Sequence, residues 1–376
     1  MQEAITADAL PQLHVRLKTA RVGAGLSVRD VVGALKKLSV SITQATLTNY
    51  ERGSTFPQIP TLAALAQVYD RPLSWFLESG PKLTNVRYRN LKSRIRVADR
   101  QMYEANAERW LEAYLKLEQR LGKRLNQQVS FREVDGSPQE IAEKLRKRLG
   151  FNNRDPIPSM SEQLGRFGIR TLELPTDLPI YGLAAKFGED FIVVFNSSVS
   201  ADRIRLTAAH ELIHVALGHC SQTTISADEE SLAYEIGSHF LLPQSQIKKA
   251  FVGRSAVRLL EYKERFGISM QAMIYRASES GILDERTAKR LWVQFARRGW
   301  RRNEPGNVRP DRATGFEQLL ESAINQRKIR WNEAESYLGI RKSELQDRLS
   351  AALQLDADTG LMGEEVEEGQ ILKFEQ

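Results

Sequence analysis

Residues 206–220, LTAAHELIHVALGHC, hold three of the five histidines of a 376-residue chain. His210 and His214 stand four apart, so on a helix both imidazoles project from one face. Leu206, Ile213 and Leu217 lie on or beside that face, which therefore turns inward. Two buried imidazoles without partners are costly, and aliphatic neighbours supply no hydrogen bond. A divalent cation satisfies both. HExxH is the spacing by which one helix offers two nitrogen ligands to zinc, and it leaves Glu211 beside a coordinated water as a candidate general base. Manganese or another divalent ion would be met by the same donors.

A catalytic zinc needs a third protein ligand and an open position. The next helical pattern, DEESLAYEIGSHFLLP, offers Asp228, Glu229 and Glu230. Glu230 is the best placed, because Ala233, Gly237 and Phe240 or Leu241 share its face and would pack it against the histidine helix. A third histidine six residues after His214 would be another arrangement, but Cys220 stands there. His219 is expected at the helix end, where its positive form is favoured, and Cys220 as a small buried residue.

These residues need a scaffold. The histidine helix should run from about Asp202 to Leu217 and stop at Gly218. Upstream, SPQEIAEKLRKRLG places Ser137 and Glu140 as a capping box, and SMSEQLGRFG repeats the logic with Ser159 and Glu162. Three extended segments follow, IRTLEL, IYGLAA and DFIVVFN, rich in β-branched and aromatic residues between Pro, Gly and Asn breaks. A small sheet is the natural product. DFIVVFN is expected to be an edge strand that holds an extended substrate by main-chain hydrogen bonds.

The N-terminal segment reads as a compact bundle of short helices. Ser27 is the expected N-cap of LSVRDVVGALKKL, and TQATLTNYERG starts at Thr43 and stops at Gly53. Leu17, Val31, Leu35, Leu47, Leu62, Leu65 and Phe76 would fill its core. Gln44, Ala45, Thr48 and Asn49 then face outward on the second of two short helices joined by a turn, the arrangement that enters a major groove. Residues 100–125 form a long helical pattern whose stripe of Trp110, Tyr114, Leu117, Leu121 and Leu125 is either a homodimer contact or packing against the chain's own neighbour.

Composition sets the outer limits. The chain carries a net charge of +7 and a pI near 9.4, which suits an anionic partner such as DNA. Its basic excess concentrates between Lys82 and Arg148, with RYRNLKSRIR the densest part, and the end, DADTGLMGEEVEEGQILKFEQ, is acidic. No apolar run reaches the roughly 18 residues of a membrane span, and the lone cysteine cannot form an internal disulfide, so a cytoplasmic location is expected. Breaks rich in Gly, Pro or charge divide the chain into 1–80, a helix-turn-helix bundle; 81–136, a basic helical linker; 137–297, the α+β domain with the histidine helix; and 298–376, a helical region with the acidic tail. The fold class is mainly α with a small sheet.

Two resemblances sharpen this reading. Residues 12–78 resemble the XRE or phage-repressor helix-turn-helix family through LSVRDVV, TQATLTNYERG and PTLAALAQVYDRPLSWFL, with Glu51 and Gly53 matching the end of its recognition helix. The match implies base contacts from Gln44, Ala45, Thr48 and Asn49, with Arg52 and Ser54 near phosphates. The connection KKLSVSI is longer than the family's. Residues about 138–290 resemble the ImmA/IrrE metallopeptidases through PIPSMSEQLGRFGIR, FIVVFNSSVSADRIRLTAAHELIHVALGH and EESLAYEIGSHFLLP. That resemblance implies zinc on His210, His214 and Glu230, with Glu211 as base. Tyr234 stands where the family usually has Asn, and His239 where it usually has Glu. Together they imply a DNA-binding regulator with an endopeptidase that cleaves a repressor-type protein in a stress or mobile-element response. The alternative is a transcription factor whose metal domain only senses or scaffolds.

Overall fold

The computed structural model describes residues 12–78, 80–90, 95–125, 135–219, 225–252 and 256–359. Five short helices come first: α1 (Leu13–Gly23), α2 (Val28–Lys37), α3 (Gln44–Arg52), α4 (Ile59–Val68) and α5 (Leu73–Leu77). Each start signal acts as expected. The Ser27 hydroxyl accepts from the Asp30 amide and Asp30 returns the bond, and Thr43 caps α3 by accepting from the Thr46 amide. Gly53 ends α3 at φ 75, a left-handed position that costs glycine little. Leu17, Val31, Leu35, Leu47, Leu62, Leu65 and Phe76 are all buried in the bundle core. A paired guanidinium and carboxylate, Arg21 Nε and Glu51 Oε1 at 2.6 Å, tie α3 to α1.

The bundle docks on α6 (Val97–Leu121), a 25-residue helix. Arg16 and the Trp75 indole N–H both reach the buried Glu112 carboxylate, at 3.1 and 2.6 Å, with the Arg16 guanidinium over the Trp75 ring. The stripe on α6 that sequence periodicity offers to a second copy is used inside the chain. Trp110, Tyr114 and Leu117 are buried against Phe316, Leu320 and Leu338 of α15 (Gly315–Asn325) and α16 (Trp331–Leu338), beside α17 (Lys342–Thr359). Packing on its own neighbour is what the structure shows.

A four-stranded mixed sheet lies between two helical layers. Its order is β1-β3-β4-β2, with β1 (Leu83–Asn90) and β4 (Asp190–Phe195) antiparallel to β3 (Ile180–Phe187), and β2 (Arg170–Glu173) parallel to β4. Side chains alternate across it. Leu183, Ala185, Ile192 and Val194 face α6 and the C-terminal helices, while Ala184, Val193 and Phe195 face α7 (Pro138–Arg148), α8 (Met160–Arg166), α9 (Ala201–Ala216) and α10 (Ala227–Leu241). Four further helices, α11 (Gln244–Ala250), α12 (Ala256–Phe266), α13 (Met270–Glu279) and α14 (Glu285–Arg297), share a separate core.

Two expectations are corrected here. DFIVVFN is not an edge, because β4 has β3 on one side and β2 on the other. The basic run read as part of a helical linker begins instead as strand β1, which supplies the sheet edge. Arg87 and Arg89 flank Tyr88 in RYR, so a period of two sends both guanidiniums to one face, a pattern a helix would have split. Among the described residues, no helix is long and apolar enough to cross a membrane.

Candidate metal centre

The histidine helix α9 begins after Ser200, and Gly218, at φ 75, follows its C-cap Leu217. His210, Glu211 and His214 are buried within it. Helix α10 opens with a capping box between Ser226 and Glu229 and crosses α9 at Gly237. A Cβ built there would sit 3.1 Å from the His210 amide nitrogen. The missing side chain lets the two backbones approach, and two turns earlier on the same face stands Glu230.

The result is a convergent set of donors. His210 Nε2 and His214 Nε2 are 2.8 Å apart, and the Glu230 carboxylate oxygens lie 3.3 Å from the first and 3.6 Å from the second. All three ligand atoms fall within 4.8 Å of one another, so one ion could be held by the three. Two nitrogens and one carboxylate oxygen are a donor set that zinc accepts with a position left over. Burial lowers the pKa of His210 more than its hydrogen bond to Glu230 raises it, which keeps the ring in the neutral form that a ligand needs. Burial alone would raise Glu230, but hydrogen bonds from His210, His214 and Arg89 hold it well below the ordinary carboxylate range.

His219 stands just past the end of α9, as expected, but its surroundings do not favour the positive form. It is buried behind His214, with the two Nδ1 atoms 3.1 Å apart, and burial together with the neighbouring His214 lowers its pKa rather than favouring its positive form. A partner on the outer nitrogen is what orients a metal-binding imidazole, and His219 stands in that place behind His214. Cys220 lies outside the described residues. Glu211 is buried beside the trio and is not one of it. Desolvation pushes its carboxyl up, and the charge of the neighbouring arginines, Arg89 foremost and then Arg87, opposes that and holds it below the usual range.

Arg87 and Arg89 are the residues that sequence reading missed. Arg89 Nε donates to Glu211 Oε1 at 2.7 Å, its other arm donates to Glu230, and Arg87 lies 3.7 Å from Glu211 Oε2. Their charge was visible in RYRNLKSRIR, but not its destination, which lies 122 positions away at Glu211. The cluster opens on a cleft of roughly 990 Å³ lined by Arg89, Tyr181, Arg203, Tyr234, Tyr275 and Arg276, among others. Tyr234 is half-exposed with its ring 5.9 Å from that of His210, and burial raises its pKa so that the phenol keeps its proton. His239 accepts from Arg276 at 2.7 Å, and burial next to that cation pushes its pKa down to about 3.

On α3, Gln44, Ala45, Asn49 and Arg52 are exposed, as is Ser54 just past its end. Thr48 is half-buried, and its hydroxyl donates to the Gln44 carbonyl at 2.9 Å. This surface belongs to a different part of the chain from the cluster. Residues 12–74 match the model of a helix-turn-helix domain, and residues 164–278 match that of the IrrE N-terminal-like domain, peptidase M78. The chain joins a helix-turn-helix domain to an IrrE N-terminal-like domain. The peptidase-type match holds α9 and α10 with all three candidate ligands, whereas β1 and its arginines stand outside it. No curated protein matches the chain in sequence.

Proposed function

We propose that this chain is a cytoplasmic DNA-binding regulator whose IrrE-like domain is a zinc-dependent endopeptidase acting on a repressor-type protein. The observation that carries the reading is Glu211. A site that only binds metal needs His210, His214 and Glu230; it does not need a buried, ionised carboxylate beside them. A zinc-class ion held by these three residues would supply Lewis-acid activation of water and of a scissile carbonyl. Glu211 is the group that takes a proton at its carboxylate and later passes it to the leaving amine. Tyr234, protonated and on the cleft wall, can donate a hydrogen bond to a substrate oxygen.

The helix-turn-helix domain would read an operator through α3, with Gln44 and Asn49 pairing with base edges, Ala45 and the Thr48 methyl meeting apolar base surface, and Arg52 and Ser54 near phosphates. Two half-sites would call for a second copy of the chain, joined elsewhere than the buried stripe of α6.

One observation favours a second reading. Arg89 engages both Glu211 and Glu230, as a permanent structural ion pair in a sensing or scaffolding domain would. Glu211→Gln separates the two. On the peptidase reading it keeps metal and DNA binding and lowers cleavage of repressor-like proteins encoded nearby by about 10²- to 10⁴-fold. Cells with this variant that still induce the target genes normally would show that proteolysis is not the switch.

A further inference from the structure

Strand β1 lies where an extended substrate would be expected. It pairs antiparallel with β3, with Tyr88 opposite Leu183 and Arg89 opposite Gly182, and so fills the sheet edge that borders the metal cleft through Tyr181. Added strands on an open edge are a common way to hold an extended peptide. Here the edge is already taken by the chain itself, from a segment outside the residues that match the peptidase-type domain.

The strand fits its place poorly for a permanent sheet member. Its register shifts between Thr84 and Arg87 and again between Arg89 and Asn90, and Asn85 adopts φ 52, which a non-glycine residue rarely does. None of the side chains of residues 83–89 is fully buried. Leu83, Val86 and Tyr88 pack on the core only partly buried, and polar contacts complete the attachment: Lys82 and the Leu83 amide on Glu108, the Tyr88 hydroxyl on Glu104, and Arg89 on Glu211 and Glu230. Arg89 thereby covers the general base and competes for a metal ligand at once.

We propose that β1 is an autoinhibitory strand, latched by Arg89, that an extended substrate must displace from the edge of β3. The proposal rests on the peptidase reading for its purpose, but not for its physical test. With Arg89 in place the Glu230 carboxylate is shared between a guanidinium and any ion, so zinc binding and latch closure oppose each other. Removing the latch should strengthen both zinc binding and catalysis. Were Arg89 instead part of the catalytic machinery, its removal would lower catalysis.

The experiment uses the full chain as wild type, Arg89→Ala, Arg89→Lys, and a Thr84→Cys/Lys186→Cys pair in a Cys220→Ser background, these two positions being cross-strand partners. Zinc affinity, hydrogen exchange of residues 83–90, and cleavage of internally quenched peptides rich in β-branched and aromatic residues are measured. Expected are tighter zinc binding and faster exchange in Arg89→Ala, and a rise in cleavage of about tenfold if the open form is on the order of a tenth of the wild-type population. Arg89→Lys, with one charge but no fork, should fall between. The oxidised cysteine pair should be inactive and recover on reduction. Equal zinc affinity and exchange in wild type and Arg89→Ala overturn the proposal, as does cleavage lost in Arg89→Ala with the fold retained. If no variant cleaves any peptide while zinc binding and exchange still change as expected, the latch stands and the peptidase reading fails.

Discussion

At the residue scale, the candidate metal centre has partners outside its three donors. His219 Nδ1 lies 3.1 Å from Nδ1 of His214, the ring nitrogen that points away from the cluster. Partners of this kind orient a ligand and raise its basicity. His219→Ala is therefore expected to lower zinc affinity by about 10- to 100-fold while the histidine helix stays folded, since the site it vacates lies at the helix end. Metal competition with a chromophoric chelator checks this, and an unchanged affinity would return His219 to a simple end-of-helix role. HExxH by itself offered two candidate ligands and a candidate base. The partner behind one of them is a residue that sequence patterning had assigned to the helix dipole.

Among the elements, α9 and α10 bring the candidate ligands together because Gly237 lets their backbones meet, and α3, ended by Gly53, carries the outward face proposed to read DNA. Helix α3 is short, and its outward face is made of the residues that periodicity assigns there. Gln44→Ala or Asn49→Ala is expected to reduce discrimination between operator and unrelated DNA by about 1–3 kcal/mol, without changing stability. Titrations at several salt concentrations should show specific binding weakening as salt rises in every variant, because phosphate contacts release counterions. Sequence preference that survives in both variants would remove α3 from the interface. Strand β1 shows the limit of local reading: its charge density resembles that of a linker, and only pairing with β3, about 100 residues away by chain length, makes it a strand.

Over the whole molecule, the helix-turn-helix bundle, α6, β1 and the metal centre form one continuous set of contacts. Arg16 and Trp75 dock the bundle on Glu112, and Lys82 joins Thr19 of α1 to Glu108 of α6 at the foot of β1. Arg16 is almost wholly buried with Glu112 as its carboxylate partner. Glu112→Ala leaves that charge in the interior, and a loss of about 3–5 kcal/mol is expected for the docked bundle, read as a lower midpoint in urea unfolding. Substituting both sides, Arg16→Met with Glu112→Leu, should recover much of it, because the cost comes from the unpaired charge rather than from the absence of a salt bridge. A single variant as stable as wild type would mean that the two parts are joined by the apolar contacts alone.

The sequence by itself determined what depends on near neighbours. Capping pairs such as Ser137 with Glu140 and Ser27 with Asp30, the stop at Gly53, the four-residue spacing of His210 and His214, and the face shared by Glu230 and Gly237 are all set within a turn or two of helix, where backbone geometry allows few outcomes. The tertiary structure alone decided what depends on distant partners: that β4 is interior, that the α6 stripe faces α15 and α16, that His219 stands behind His214, and that Arg89 reaches Glu211 and Glu230. The reason is that a charge or an edge strand carries no local mark of its partner. Its place is chosen by which opposite charge or open backbone row the completed fold brings within a few ångströms, and that choice exists only once the sheet and its two helical layers have closed.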